Sequence, residues 1–467
     1  MGSPFSNWHL PVTGVEFEVE SKLLGGWGRT SPTLSDLVHA RTSGQVVQAV
    51  QAANGRGIIA RGLGRGYGDC AQNAGGLVLD GPARSGIIEV DLERLQVRAL
   101  AGTSLDELMK WFVPLGMFVP VTPGTRSVTV GGAIAADIHG KNHHIKGSWG
   151  SHVLSLRLVD GFGAIRELSP SQEPELFWAT IGGMGLTGIV VDATIQMTPI
   201  GSSFVVVDTD RTDDLDGVMT LMREGDEYYD YSVAWIDLIA TGEHMGRSIL
   251  ERGRFATREE ALAAGRDDPY KYSPHQLISP PDLFPSGLLN RLTIRAFNEL
   301  WYRKAPKLKR DHISSIEAFF HPLDMIEDWN RLYGQRGFLQ WQFAVPDEAT
   351  DVVRTTVERL SAAGASSFLA VLKRFGPGNI APLSFPTKGW TLALDIPVAA
   401  NLDRLLDELD ELVVAAEGRV YLAKDSRVRP ELVPDMYPRL DEWRQIRNAA
   451  DPEGRFCSDM SRRLNLI

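Results

Sequence analysis

Three glycine-rich strings carry the densest chemical signal in this sequence. Arg61-Gly62-Leu63-Gly64-Arg65-Gly66-Tyr67-Gly68-Asp69 follows the β-branched pair Ile58-Ile59. Alternate glycines strip side chains from one edge of a loop, so successive backbone N–H groups can converge on an anion such as a pyrophosphate. The fingerprint G-x-G-x-x-G is absent, because its third glycine would fall at Tyr67, and Walker A fails where Gly140-Lys141 runs into Asn142. Taken alone, the loop is equally well explained as a turn that binds nothing. Two further strings shift that balance: Pro123-Gly124-Thr125 with Val130-Gly131-Gly132-Ala133-Ile134-Ala135-Ala136-Asp137-Ile138-His139-Gly140, and Ile181-Gly182-Gly183-Met184-Gly185-Leu186-Thr187-Gly188. Small residues there let backbone lie flat against a large planar cofactor. His139, His143, His144 and His152 crowd the second string, and the step from His139 to His143 suits a metal pair. No carboxylate or thiol completes a familiar zinc pattern and no histidine precedes Glu as H-E-x-x-H requires, so no metal is expected and structural hydrogen bonding is the competing role.

These strings need elements to hold them. Thr42 or Ser43 caps a helix through Val46, Val47 and Val50 that stops at Asn54-Gly55, and the strand Ile58-Ile59 follows. Val97 to Ala101 reads as a strand, Ser104 and Glu107 as a capping box, and Leu105, Leu108 and Phe112 keep helical spacing until Pro114 and Gly116. The first 200 residues are thus α/β in texture. From about Ser203, strand runs such as Phe204 to Val207, Phe338 to Val345 and Trp390 to Ile396 alternate with helices such as Asp351 to Ala363, which reads as a second, α+β unit. A strand from Arg419 to Ala423 and a helix around Glu442 to Ala449 lead to the carboxyl terminus. The two-residue period puts Gln340 and Gln342 on one strand face, suited to sugar hydroxyls or simply to water.

At ~150 residues per domain the 467 residues suit two or three domains, and a hydrophobic content of 43% supports large cores. With 48 basic against 59 acidic residues the chain carries −11, which argues against a protein that coats nucleic acid. Cys70 and Cys457 are too few for a disulfide scaffold. Neither a secretory signal nor a membrane span of ~18 apolar residues is expected, and Met1, Gly2 and Ser6 match a lipidation pattern as readily by chance. One stretch breaks the acidic average: Arg291, Arg295, Arg303, Lys304, Lys307, Lys309 and Arg310 stand against Glu299 alone, a local +6 in a chain whose remainder carries −17. Leu277, Ile278, Leu283, Phe284, Leu288 and Leu289 precede it among prolines, and Phe297, Leu300 and Trp301 lie within it. Residues 277–310 therefore suit a mobile flap that meets anionic lipid or a polyprenyl phosphate, with a water-facing amphipathic helix as the alternative.

The order of the glycine strings, with Leu176-Phe177-Trp178-Ala179 before the third, resembles the FAD-binding domain of the vanillyl-alcohol-oxidase and p-cresol-methylhydroxylase type. More narrowly, Gly26-Trp27-Gly28-Arg29-Thr30, Ile138 to His144, Phe338 to Phe343, Ala381-Pro382-Leu383-Ser384-Phe385-Pro386 and Ala423-Lys424-Asp425-Ser426-Arg427 resemble the decaprenylphosphoryl-β-D-ribose 2′-oxidases, FAD subunits of the epimerase that supplies cell-wall arabinose. The resemblance implies a two-domain α+β fold, with an FAD-binding domain over 1–202 completed by 418–467 and an antiparallel-sheet substrate domain over 203–417. It implies FAD held by Arg61, Gly62, Leu63, Gly64, Arg65, Gly66 and Tyr67, by Pro123, Gly124 and Thr125, by Gly131, Gly132, Ala135, Asp137, Ile138 and His139, and by Gly183, Gly185, Gly188, Ile189 and Tyr421. Some relatives tether flavin to a histidine or cysteine near the first loop; Arg61 to Asp69 contains neither, so FAD is expected to be non-covalent.

The same resemblance places Gly124, Lys141, Phe320, Leu323, Gln340, Gln342, Leu369, Val371, Thr391, Ala393 and Lys424 at the substrate, and makes Lys424, His139 and Tyr67 the catalytic candidates. His139 would lie beside the flavin and the reacting carbon, and Tyr67 would relay a proton or merely pack. Lys424 would take the hydroxyl proton, a role worth ~10²–10⁴-fold, or hold a phosphate or developing alkoxide as a cation. Ala393 stands where the best-known members carry the cysteine captured by nitroaromatic inhibitors, and Thr391 and Phe320 replace Asn and Tyr. These departures bear on substrate identity more than on redox chemistry. The implied reaction is oxidation of the 2′-hydroxyl of a polyprenyl-phosphoryl ribofuranose by hydride transfer to FAD, completed by a separate NADH-dependent reductase. The implied location is peripheral at the plasma membrane or envelope, periplasmic by resemblance, with the cytoplasm as alternative. An FAD oxidase of a soluble sugar, polyol or nucleoside and a non-catalytic flavoprotein or lipid-phosphate binding module are the competing readings.

Overall fold

The computed structural model describes residues 18–53, 55–274, 291–365, 367 and 369–467. The lipidation pattern, Asn54 and the apolar run from Leu277 to Leu289 lie outside them. β1 (Glu18–Leu24), β2 (Thr33–His39), β3 (Ile58–Arg61) and β4 (Leu77–Asp80) form a sheet in the order β1-β2-β4-β3, with β4 parallel to both neighbours. α1 (Ser43–Ala52) supplies the connection from β2 to β3. Thr42 caps it in a reciprocal box with Gln45, and Val46, Ala49 and Val50 form its buried face. Because β3 ends at Arg61, the first glycine string starts at the carboxyl edge of this parallel ladder.

β5 (Ile87–Asp91), β6 (Gln96–Leu100), β7 (Met117–Phe118), β8 (Val153–Val159), β9 (Ile165–Leu168), β10 (Ile189–Gln196) and β11 (Thr198–Pro199) follow. β7 and β11 make a short ladder, and the other five an antiparallel sheet in the order β5-β6-β10-β8-β9. α2 (Leu105–Phe112) begins at the Ser104–Glu107 capping box and closes beyond Pro114, where Gly116 adopts φ 76°. α3 (Val130–Ala135) carries Gly131 and Gly132.

The third sheet is antiparallel throughout: β12 (Phe204–Thr212), β13 (Tyr231–Ile236), β14 (Ser248–Phe255), β15 (Leu308–Ser315), β16 (Phe338–Val345), β17 (Ala370–Phe375), β18 (Gly389–Pro397) and β19 (Arg419–Val420), in the order β15-β12-β14-β13-β17-β18-β16-β19. One core joins it to the first sheet, since Ile59 and Val78 share a buried cluster with Phe343, Trp390 and Trp443. The chain then returns to its start. Phe456 bridges to Ile58, and Arg463 grips both carboxylate oxygens of Asp69 at 2.7 and 2.9 Å.

One expectation changes. The last strand stops at Val420 instead of reaching Ala423, because the chain turns there: the Lys424 N–H donates to the Tyr421 carbonyl at 3.0 Å, and the turn delivers Lys424 to the glycine loop. The described part of the basic segment, residues 291–310, forms the helix Arg291–Lys304 and the start of β15, which is the form of the amphipathic-helix alternative. Ile294, Asn298 and Tyr302, four apart, give the helix one buried face, where the Asn298 amide donates to Asp237 at 2.8 Å and the Tyr302 hydroxyl to Asp213 at 3.0 Å. Its basic side chains point outward.

Candidate active site

A cavity of about 670 Å³ runs from the first glycine string, past Pro123–Thr125 and α3, to the face of the large sheet and the outer helix Arg291–Lys304. Its near half is built from backbone. Gly62, Gly64 and Gly66 line it, and Gly64 takes the left-handed φ of 66° that favours glycine. The Thr129 hydroxyl caps α3 by accepting from the Gly132 N–H at 3.1 Å, and a Cβ on Gly62 would lie 2.4 Å from that hydroxyl. A Cβ on Gly124 would meet nothing within 4 Å and would project into open cavity. Ala135, Ile138, Gly185, Gly188 and Ile189 continue the small-residue wall. N–H-rich loop and flat walls together fit FAD, the loop its pyrophosphate and the walls its rings.

The far half is polar in an unusual way. Lys141, Lys373 and Lys424 all turn to the cavity, with Gln340 and Gln342 between them. Burial pulls Lys141 down to about 8 against the pull of Glu251, and burial with the charges of Lys424 and Lys141 pulls Lys373 to about 7. Burial likewise lowers Lys424, and Asp395 opposes it. Lys424 Nζ donates to Gln340 Oε1 and lies 4.3 Å from the centroid of the Tyr67 ring. Lys141 Nζ donates to the Phe319 carbonyl.

His139 packs among Phe375, Phe385 and Tyr421, at centroid distances of 4.8, 5.5 and 5.2 Å. Burial, then Lys373, His143 and Lys424, holds its pKa well below the usual histidine range, so the ring is neutral. The Gln342 amide nitrogen lies 2.9 Å from His139 Nε2 and donates to the Thr391 hydroxyl at 3.1 Å. Tyr421 anchors the same corner, its hydroxyl donating to the Ala136 carbonyl at 2.7 Å.

A family model for an FAD binding domain matches residues 35–169, and one for D-arabinono-1,4-lactone oxidase matches residues 389–464. The decaprenylphosphoryl-β-D-ribose oxidase of Mycolicibacterium smegmatis is 48% identical over 461 residues, covering 98% of this chain and 100% of that protein. The chain belongs to this family of FAD-dependent oxidoreductases. An uncharacterized protein of Streptomyces coelicolor is 40% identical over 78% of this chain and 100% of its own length. The D-arabinono-1,4-lactone oxidase of Eremothecium gossypii is 31% identical over 34% of this chain and 31% of its own.

Within this FAD-linked oxidase the cavity gathers most of the residues expected from sequence, including Arg61 to Tyr67, Pro123 to Thr125, Lys141, Phe320, Leu323, Leu369, Val371 and Ala393. Three of the expected residues, Asp137, Gly183 and Thr391, do not line it. Asp137 is fully buried and spends its carboxylate on Ser148 and Gly150 at 2.8 Å, Asn379 at 2.7 Å and Ser384 at 2.5 Å, so it ties two loops together. Gly183 is a packing glycine, since a Cβ there would stand 2.2 Å from the Ala179 carbonyl. Thr391 is covered and supports Gln342. Nor do the histidines gather on one ion: His144 bonds the Tyr229 carbonyl and His152 the Lys146 carbonyl, each at 2.9 Å. Lys373, Trp235, Glu251 and Asp395 were missed. Strand alternation from Leu369 and Val371 points to Lys373, but no spacing in the sequence brings Trp235 and Glu251 to the same wall.

Proposed function

We propose that this oxidase takes hydride from C2′ of a polyprenyl-phosphoryl-β-D-ribofuranose and leaves the 2′-keto sugar. The observation that carries this reading is the convergence of Lys141, Lys373 and Lys424 with the amides of Gln340 and Gln342 on the cavity that the glycine loop also lines. A neutral sugar needs the amides but not the cations, and a phosphoryl group needs both. FAD, when bound, supplies the hydride acceptor. Lys141 and Lys373 neutralise the phosphoryl oxygens. Lys424 takes the hydroxyl proton or holds the alkoxide. Gln342, whose nitrogen serves His139 and Thr391, offers its oxygen to a sugar hydroxyl. Phe320, Leu323 and Val371 exclude water. Residues 1–202 with 418–467 would form the FAD-binding unit, and 203–417 the substrate unit.

The cavity also reaches Phe297 and Trp301, stacked at 6.0 Å on the helix that carries exposed Leu300, Arg295 and Arg303. We propose that the prenyl chain leaves here and that this face rests on anionic lipid, which makes the protein peripheral at the envelope. Among the described residues no helix is long and apolar enough to cross a membrane. A separate NADH-dependent reductase would consume the keto sugar.

Anaerobic mixing tests the main reading. Polyprenyl-phosphoryl ribose should bleach the flavin and free ribose should not; equal bleaching by free sugars, with peroxide released in air, would establish the soluble-sugar oxidase instead.

A further inference from the structure

Asp395 is a fully buried acid bonded to Gln340 behind the cavity wall, and nothing in the reaction described above uses it. It lies on β18 directly across from Gln340 on β16, and the two-residue period gives it the same face as Ala393. It is fully buried, and no cation lies against it in an ion pair among the described residues. Its Oδ1 accepts from Gln340 Nε2 at 2.5 Å, and its Oδ2 meets no donor among the described residues. Burying a carboxylate without a paired cation is costly, and burial raises Asp395 to about 7 against the pull of Gln340 and Lys424, so its ionised form calls for a counterpart.

That counterpart is one amide away. A glutamine amide has nearly the same shape in either orientation but opposite chemistry at its two ends. A carboxylate only accepts, and a lysine ammonium only donates. Placed between them, Gln340 has one satisfying orientation: nitrogen to Asp395, oxygen to Lys424. Resting on the reading that Lys424 faces the reacting hydroxyl, we propose that Asp395 is a positioning residue, which locks the Gln340 amide so that its oxygen orients Lys424 Nζ and its own charge sets the charge of that lysine.

The other groups around the pair cannot replace it. Lys424 meets Tyr67 from the glycine loop and feels the like charge of Lys373 on β17 and the imidazole of His139. Asp395 also feels Tyr67 and Tyr333, whose phenols burial holds well above their usual range and therefore neutral. Asp395 is thus the acid that opposes the loss of the Lys424 proton. Removing its charge leaves Lys373 unopposed and moves the titration of Lys424 to lower pH. The direction is the same whether the reaction needs the neutral amine or the ammonium.

The test uses the FAD-loaded protein without sugar. Acetylation of Lys424 by acetic anhydride, read by peptide mass spectrometry across pH, reports its titration midpoint. Asp395→Asn should lower that midpoint by about one unit or more, the size expected for loss of a nearby opposite charge, with flavin absorbance and Tm retained. Gln340→Met, which cuts the relay and keeps the acid, should lower it as well. Midpoints in both variants that coincide with wild type would overturn the proposal, and if Asp395→Asn fails to hold FAD, Gln340→Met alone decides. Because no sugar enters the labelling, a shifted midpoint together with absent bleaching by polyprenyl-phosphoryl ribose would sink the functional reading and leave the charge-setting role of Asp395 standing.

Discussion

Lys424 Nζ sits 4.3 Å from the centroid of the Tyr67 ring, so the turn after the last strand lands on the first glycine loop. Such a contact is worth ~0.5–2 kcal/mol and offsets part of the cost of drying the ammonium. Burial keeps the Tyr67 phenol protonated, so its hydroxyl remains a donor. Lys424→Ala should therefore leave FAD bound while anaerobic flavin reduction falls by ~10²–10⁴-fold. Undiminished reduction would remove Lys424 from the mechanism.

If Lys373 and Lys141 hold the phosphoryl group as proposed, substrate binding should depend on pH. With Lys373 drawn to about 7 and Lys141 to about 8, both are cationic at pH 6 and lose protons as pH rises toward 9. Affinity for the phosphoryl substrate, measured by calorimetry, should weaken across that interval, and Lys373→Met should weaken it about tenfold at pH 6 and flatten the dependence.

The same shift has a stability consequence of opposite sense. Between about 7 and the ordinary lysine value the unfolded chain binds more protons at Lys373 than the folded one, so this group's contribution to stability rises with pH and is least favourable below 7. Lys373→Met should raise Tm at pH 6 more than at pH 9; an equal change at both would show that Lys373 is not held in a depressed state.

Much of this was legible in the sequence because local rules were sufficient. The capping boxes at Thr42 and Ser104 were readable from residues three apart, and the shared face of Gln340 and Gln342 from the strand period. What escaped was long-range. Asp137 sits in a cofactor-like string, yet its four partners include Asn379 and Ser384, over two hundred residues away. Charge dominates the composition of the helix Arg291–Lys304, while three buried residues, Ile294, Asn298 and Tyr302, form the face by which it docks. Trp235 and Glu251 required knowing that β13 and β14 border the cavity, a fact of sheet order.

Gly124 separates folding from cofactor loading. A Cβ there meets nothing within 4 Å, so Gly124→Ala should fold and load FAD as the wild type does. Gly124→Phe would fill the space instead, and the purified protein should keep its Tm without added cofactor while losing the yellow absorbance. Normal flavin content in that variant would move the cofactor away from this wall.

Ala393 lies on β18 opposite Val371 and Gln342, in the wall shared with Lys373 and Lys424. With a methyl group there, no thiol reaches the cavity at this position, and nitroaromatic compounds that capture a cysteine in relatives should leave the intact mass unchanged. Ala393→Cys should reverse this. A thiol between two cations is drawn toward its thiolate, the nucleophilic form, so the variant should gain one adduct mass in a reaction that requires the flavin to be reduced first. Cys70 serves as the internal control: burial raises its pKa to about 12, so it stays a thiol and should remain unmodified in both proteins. An adduct on the wild-type chain would mean that another nucleophile occupies the wall assigned to Ala393.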